Sequence, residues 1–273
     1  MTVETDTAPD PTKSLLAFFG TELTRLRTNA GLSQEQTARL AHTTQSMISK
    51  IESANRVPSL DLARDLDVAL KTDGHFARLH PLVVSYAYPS WFLPFVELEG
   101  EAVSIRVFEN QIIPGLLQTE KYARSMLLAV RPDNLDDLVA ARMTRQEIFE
   151  REERPRTWFI VDEYVLMRHI GGEAVMREQF ERLLEAGQHP RTVIQIIPRT
   201  VVAHPGLAGP FTVLGFDEGP DVLFVDGFSQ GRTALGQDEV TEGIRAYDLL
   251  RAVALSPDAS AELIRRHLKE LDT

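Results

Sequence analysis

The chain has 273 residues, 43% of them hydrophobic, which is enough for a substantial core and suggests two domains. Cysteine is absent, which rules out disulfides and thiolate metal sites and fits a cytoplasmic protein, and no apolar run reaches the roughly eighteen residues a membrane span needs. The net charge of −11 argues against polyanion binding by the chain as a whole, but Lys13 to His80 holds nine Lys/Arg against seven Asp/Glu while Pro81 to Thr273 holds twenty against thirty, so an anionic partner has to meet a local positive face of the first part.

Residues 1–13 lack the basic and apolar segments of a signal peptide and read as a disordered tail. Leu15 to Asn29 reads as a helix, with Leu16, Phe19, Leu23 and Leu26 at helical spacing and Gly31 just past its end. Ser33 to Glu52 reads as two short helices joined by a tight corner. Ser33 and Gln36 have the spacing of a capping box. Ala38, Leu40 and Ala41 give the first helix a small packing face, His42 and Thr43 make the corner, and Thr44 can cap the second helix. There Ile48 and Ile51 point inward, which puts Gln45, Ser46, Ser49 and Lys50 on the outer face. A helix with an apolar back and an amide, hydroxyl and ammonium front suits base edges and phosphates in the major groove of double-stranded DNA. Ser59 opens a fourth helix carrying Leu60, Ala63, Leu66 and Leu70, and Asp73-Gly74 starts a short fifth element that Pro81 is expected to stop.

L-S-Q-E-Q-T-A at Leu32 to Ala38, T-T-Q-S-M-I-S-K-I-E at Thr43 to Glu52 and R-V-P-S at Arg56 to Ser59 resemble the Xre/Cro/phage-repressor type of helix-turn-helix. That family places its second helix as the reader and usually has Gly at the corner, where this chain has His42; histidine tolerates a left-handed backbone better than most residues. The resemblance implies an ion pair between Arg27 and Glu52. It also implies DNA roles for eight residues. Gln34 is expected to donate to a phosphate beside the helix-terminal amides. Thr44, Gln45, Ser46 and Ser49 face the groove, with Gln45 matching adenine N6 and N7, and Lys50 reaches guanine or phosphate. Asn55 and Arg56 clamp the backbone. For each, the plain alternative is an ordinary polar surface residue.

Pro81 to Pro94, with Tyr86, Tyr88, Trp91 and Phe92, reads as an extended junction whose aromatics dock on the second domain, the other reading being an aromatic ligand cage. Beyond it, strands are expected at Val103–Phe108, Thr157–Asp162, Thr192–Ile197, Phe211–Phe216 and Val222–Val225. Helices are expected after Thr119, over Asn134–Arg151, Glu163–Ile170, Glu173–Ala186, Asp238–Ala254 and Pro257–Leu271. P-G-L-L-Q-T-E-K-Y-A at Pro114 to Ala123, R-M-T-R-Q at Arg142 to Gln146 and V-D-E-Y-V-L at Val161 to Leu166 resemble a C-terminal domain of unknown function attached to Xre-type regulators of actinobacteria, the WhiJ-like, antitoxin-like group. This resemblance implies a transcription factor whose partner is a small protein encoded by a neighbouring gene.

Three constellations in this half carry chemistry. Arg142, Arg145 and Gln146 share a face of the expected helix, and Asp162 and Glu163 follow a strand end. They form either a charged pocket for an anionic ligand or a partner's acidic terminus, or an Arg–carboxylate network holding helix to sheet. G-F-S-Q-G at Gly227 to Gly231 fits a nucleophile elbow at Ser229, with Asp238, Asp248 and His267 following in order, but glycines break the helix the elbow needs, so a coincidental loop is the favoured reading. His169 and His204 stand without close metal-ligand spacing.

The expected fold is therefore an all-α, lambda-repressor-like domain of five helices over residues 14–80, a junction over 81–94, and an α+β domain with about five strands over 95–273. The expected function is sequence-specific DNA-binding regulation by a cytoplasmic homodimer, without catalytic residues, metal or cofactor. In the alternative, an antitoxin-like protein sequesters a small partner and autoregulates its operon.

Overall fold

The computed structural model describes residues 9–228 and 230–271, so most of the N-terminal tail and Ser229 lie outside the described residues. The chain divides into two compact units, Met1–Pro89 with Val130–Thr144, and Ser90–Ala129 with Arg145–Thr273. In chain order the first five helices are α1 (Leu15–Asn29), α2 (Gln34–Leu40), α3 (Gln45–Glu52), α4 (Leu60–Leu70) and α5 (His75–Ala87). Then come α6 (Leu93–Glu101), β1 (Ser104–Glu109), α7 (Glu120–Leu128), α8 (Leu135–Thr144), β2 (Arg156–Asp162), α9 (Glu163–Leu166), α10 (Glu173–Ala186) and β3 (Thr192–Ile197). The chain closes with β4 (Phe211–Gly215), β5 (Val222–Val225), β6 (Arg232–Ala234), α11 (Gln237–Val253) and α12 (Pro257–Glu270).

The first unit is built from α1–α5 and α8. Side-chain oxygens start its helices: Ser14 accepts from Ala17 N, Thr44 from Met47 N and Ser59 from Leu62 N. In the capping box of α2, Ser33 and Gln36 bond reciprocally. Gly74 starts α5 without a side-chain cap, and the buried Asp67 carboxylate takes over by accepting from Phe76 N (2.9 Å) and Ala77 N (2.8 Å). Leu16, Phe19, Leu23, Ile48, Ile51, Ala63, Leu66 and Phe76 are buried at the centre. Gly20 lets α1 approach α3 closely, since a Cβ there would lie 2.5 Å from the Ile51 carbonyl oxygen.

In the second unit the sheet order is β3-β2-β1-β4-β5-β6, with β1 to β3 parallel and β4 to β6 antiparallel to their neighbours. Ile105, Val107, Phe159, Val161, Ile194, Ile196 and Leu214 form one face, packed with Met176, Phe180 and Leu183 of α10 and Leu263 and Ile264 of α12. The alternate residues Phe108, Ile160 and Ile197 pack under Tyr247 and Leu250 of α11. Both faces are covered, as the continuous apolar runs in the parallel strands require. The outer edge of β3 is closed as well: Ile196 O accepts from Leu255 N and Ile196 N donates to Ser260 Oγ, each at 2.9 Å.

Four details differ from the sequence-based expectation. Pro81 does not stop the fifth helix but lies inside α5; it is exposed, so the carbonyl four residues back loses its donor on the solvent side. The junction is not extended: α5 runs to Ala87, α6 begins at Leu93, Tyr88 is buried in the first unit, and Trp91 and Phe92 pack against the core of the second. The helix expected over 134–151 ends at Thr144, and Arg145–Phe149 is a 3-10 turn. A short sixth strand, Arg232–Ala234, pairs with β5 and extends the expected sheet.

Candidate nucleic-acid interface

The reader helix α3 sits as its sequence pattern requires. Ile48 and Ile51 have no solvent exposure, while Gln45 and Ser46 are exposed and Ser49 and Lys50 half-buried. Thr44 is exposed, and its hydroxyl caps the helix. The α2–α3 corner places His42 at φ +50°, the left-handed conformation for which glycine is the usual residue. After α3, Asn55 is exposed and bonds Ser53 Oγ (3.1 Å), and Arg56 is half-buried with its Nη1 directed at the Asn55 carbonyl (3.5 Å). Two distant groups hold this loop: Thr144 Oγ1 of α8 accepts from Val57 N (3.0 Å), and His80 Nε2 of α5 donates to Pro58 O (3.0 Å). Burial pushes His80 below its ordinary value, which favours the neutral ring.

The expected ion pair is present: Arg27 donates from Nε to Glu52 Oε1 (2.5 Å) and from Nη2 to Oε2 (3.1 Å), and its Nη1 ties down the Leu32 carbonyl (2.8 Å). Sequence reasoning missed what continues from it. Gln34 Nε2 donates to Glu52 Oε2 (2.7 Å), and Gln34 Oε1 accepts from Gln45 Nε2 (2.7 Å). Gln34, expected at a phosphate, thus also links a buried carboxylate to the exposed amide of the leading base reader. The signal available in the sequence was the pair of glutamines at the starts of consecutive helices.

The candidates in the second half have internal partners. Arg145 forks onto Glu99 (2.7 and 2.8 Å) and lies over the Phe92 ring at 4.9 Å. Gln146 Nε2 donates to the Gln118 and Gly115 carbonyls (2.7 and 3.2 Å). Because α8 ends at Thr144, Arg142 does not share a continuous helical face with these two. Asp162 caps α9 and contacts His204 Nε2 (3.2 Å). Glu163 accepts from Arg199 N (2.7 Å) and contacts His267 Nε2 (3.4 Å). Asp248 contacts Arg251 at 3.4 Å. Among the described residues no three or more His, Asp or Glu side chains gather as a metal site, and no helix is long and apolar enough to cross a membrane.

Residues 19–79 match the family model of a helix-turn-helix domain, and residues 92–266 match the model described as a domain of unknown function (DUF5753). Among curated proteins and among solved structures, nothing matches the chain.

Proposed function

The chain belongs to the DUF5753 family, and from that premise and its helix-turn-helix domain we propose that it is a sequence-specific, DNA-binding transcriptional regulator of the Xre/Cro type, in the actinobacterial WhiJ-like group, and not an enzyme. The observation that carries this reading is the division of α3 into a fully buried apolar back and an outward row of Gln45, Ser46, Ser49 and Lys50. Gln45 reads a base edge, Thr44, Ser46, Ser49 and Lys50 approach bases and neighbouring phosphates, and Asn55 and Arg56 meet the backbone. A cytoplasmic homodimer would place two such helices in half-sites about one helical turn apart.

The second unit serves dimerisation and reception of a signal. What supports this is its acidic composition and the threefold passage of the chain between units, at 89–90, 129–130 and 144–145. The α8 excursion ends on Thr144, which holds the loop carrying Asn55 and Arg56. A second reading, an antitoxin-like protein that sequesters a small neighbouring-gene partner, is favoured by the exposed Tyr164, Met167, Val202 and Leu207 of this unit; co-purification of a stoichiometric small protein from the native host decides it.

Footprinting of the purified chain on DNA upstream of its own and neighbouring genes tests the main reading. A protected pseudo-palindrome is expected, and Gln45→Ala is expected to weaken it by about ten- to a hundredfold while removing the preference at one base position per half-site. No protection, or an unchanged preference in Gln45→Ala, would count against it.

A further inference from the structure

Resting on that reading, we propose that Glu52, a residue with no path to DNA of its own, determines which base Gln45 selects by fixing the direction of the amide relay between them. Glu52 is buried at the end of α3, with Arg27 on both oxygens. An ionised carboxylate only accepts hydrogen bonds. Gln34, 2.7 Å from Glu52 Oε2, therefore has to present Nε2, because the reversed amide would set oxygen against oxygen. With Nε2 turned inward, Gln34 offers Oε1 to the next side chain, and Gln45 answers with Nε2 at 2.7 Å. Gln45 is left with its carbonyl oxygen and one N–H facing outward. That is one acceptor beside one donor, the complement of adenine N6–H and N7.

Without the charge the relay has no required direction. Gln at position 52 can turn either amide atom towards Gln34, and Gln45 can then rotate so that both Nε2 protons face out, towards paired acceptors such as guanine N7 and O6. Glu52 is thus a positioning residue that acts through Gln34, and its removal changes the base chosen as well as the strength of binding.

The test is selection of sites from a randomised duplex pool by the purified full-length chain, its Gln45→Ala, Glu52→Gln and Gln34→Met variants, with thermal melts as the check on folding. Gln45→Ala marks the position that Gln45 reads. There the wild type is expected to prefer adenine, and Glu52→Gln to lower the adenine-to-guanine ratio about tenfold. Gln34→Met interrupts the relay while leaving Arg27 and Glu52 paired, is expected to lower the same ratio, and decides the matter if Glu52→Gln does not fold. A wild-type ratio in folded Glu52→Gln or in Gln34→Met, or guanine as the wild-type choice, overturns the relay and leaves the regulator reading standing. A wild type that selects no sequence overturns both.

Discussion

Arg27 with Glu52 in the first unit, and Arg145 with Glu99 in the second, make the same fork-shaped contact with a buried carboxylate. Their surroundings differ. Glu52 has a further donor in Gln34, and the chain of bonds continues to an exposed amide. Arg145 lies beside the Phe92 and Phe95 rings (4.9 and 5.7 Å), and Phe95 stacks on Phe224 of β5 at 4.1 Å. One pair ends at a surface that suits a ligand, and the other ends in the core. A buried ion pair is therefore silent about function until its next neighbour is known, since geometry and burial are alike in both.

If the second pair is scaffold, breaking it should be severe and replacing it mild. Arg145→Met leaves Glu99 buried and charged without its two donors, and is expected to destabilise the chain by about 3–5 kcal/mol in urea unfolding. Arg145→Met combined with Glu99→Leu should recover most of that loss, because the aromatic neighbours accept apolar volume. A double variant as unstable as the single one would mean that the pair does more than hold the 3-10 turn after α8 to α6.

The first pair can be disturbed without altering either partner. Gly20 lies on the face of α1 that meets the end of α3, where an added Cβ would stand 2.5 Å from Ile51 O and 2.8 Å from Glu52 O. Those contacts are backbone and cannot swing away, so Gly20→Ala has to shift one helix. The expected cost is about 1–3 kcal/mol in thermal or urea unfolding. Wild-type stability in Gly20→Ala would show that the α1–α3 contact is looser than its geometry implies.

Legibility in the sequence followed the range of the interactions involved. The faces of α3, the capping box at Ser33, the corner at His42 and the five longer strands all rest on local spacing, and each was readable, whereas the parallel pairing of β1 to β3 was not. The Arg27–Glu52 pair was readable through family resemblance. What the sequence did not convey depends on partners far along the chain. Pro81 is a strong local stop signal, yet the apolar face of α5 at Phe76, Val83 and Ala87 continues across it. Strand β6 has three residues, too few to show alternation, and exists because β5 pairs with it. Helix α8 buries Val139, Ala140 and Ala141, a small-residue face that carries no label for the unit it joins. The Gln34 relay depends on a carboxylate that closes on it from another helix, and a lone glutamine in a sequence does not say whether its amide faces water or a neighbour.

Helix α8 also supplies the mildest change, at a carboxylate that, unlike Glu52 and Glu99, has no arginine among its hydrogen-bond partners in the described residues. Asp137 is buried; Oδ1 accepts from Ser14 Oγ (2.8 Å), and Oδ2 has no hydrogen-bond partner among the described residues. Burial pushes this carboxyl above its ordinary range, against the lowering effect of the Ser14 bond and with a smaller upward push from Asp136. A carboxylate whose folded value is raised holds its proton more tightly folded than unfolded. Stability therefore falls as pH rises from the unfolded value, about 3.9, through the raised folded value, and the penalty is complete only above it. Asp137→Asn keeps an acceptor for Ser14 and carries no charge. It is expected to be more stable than wild type at pH 7, with the gap narrowing as pH is lowered towards 4. Paired urea titrations at pH 7 and pH 4.5 measure it. An Asn variant less stable than wild type at pH 7 would mean that the negative charge at the start of α8, favourable to the helix dipole, outweighs its burial.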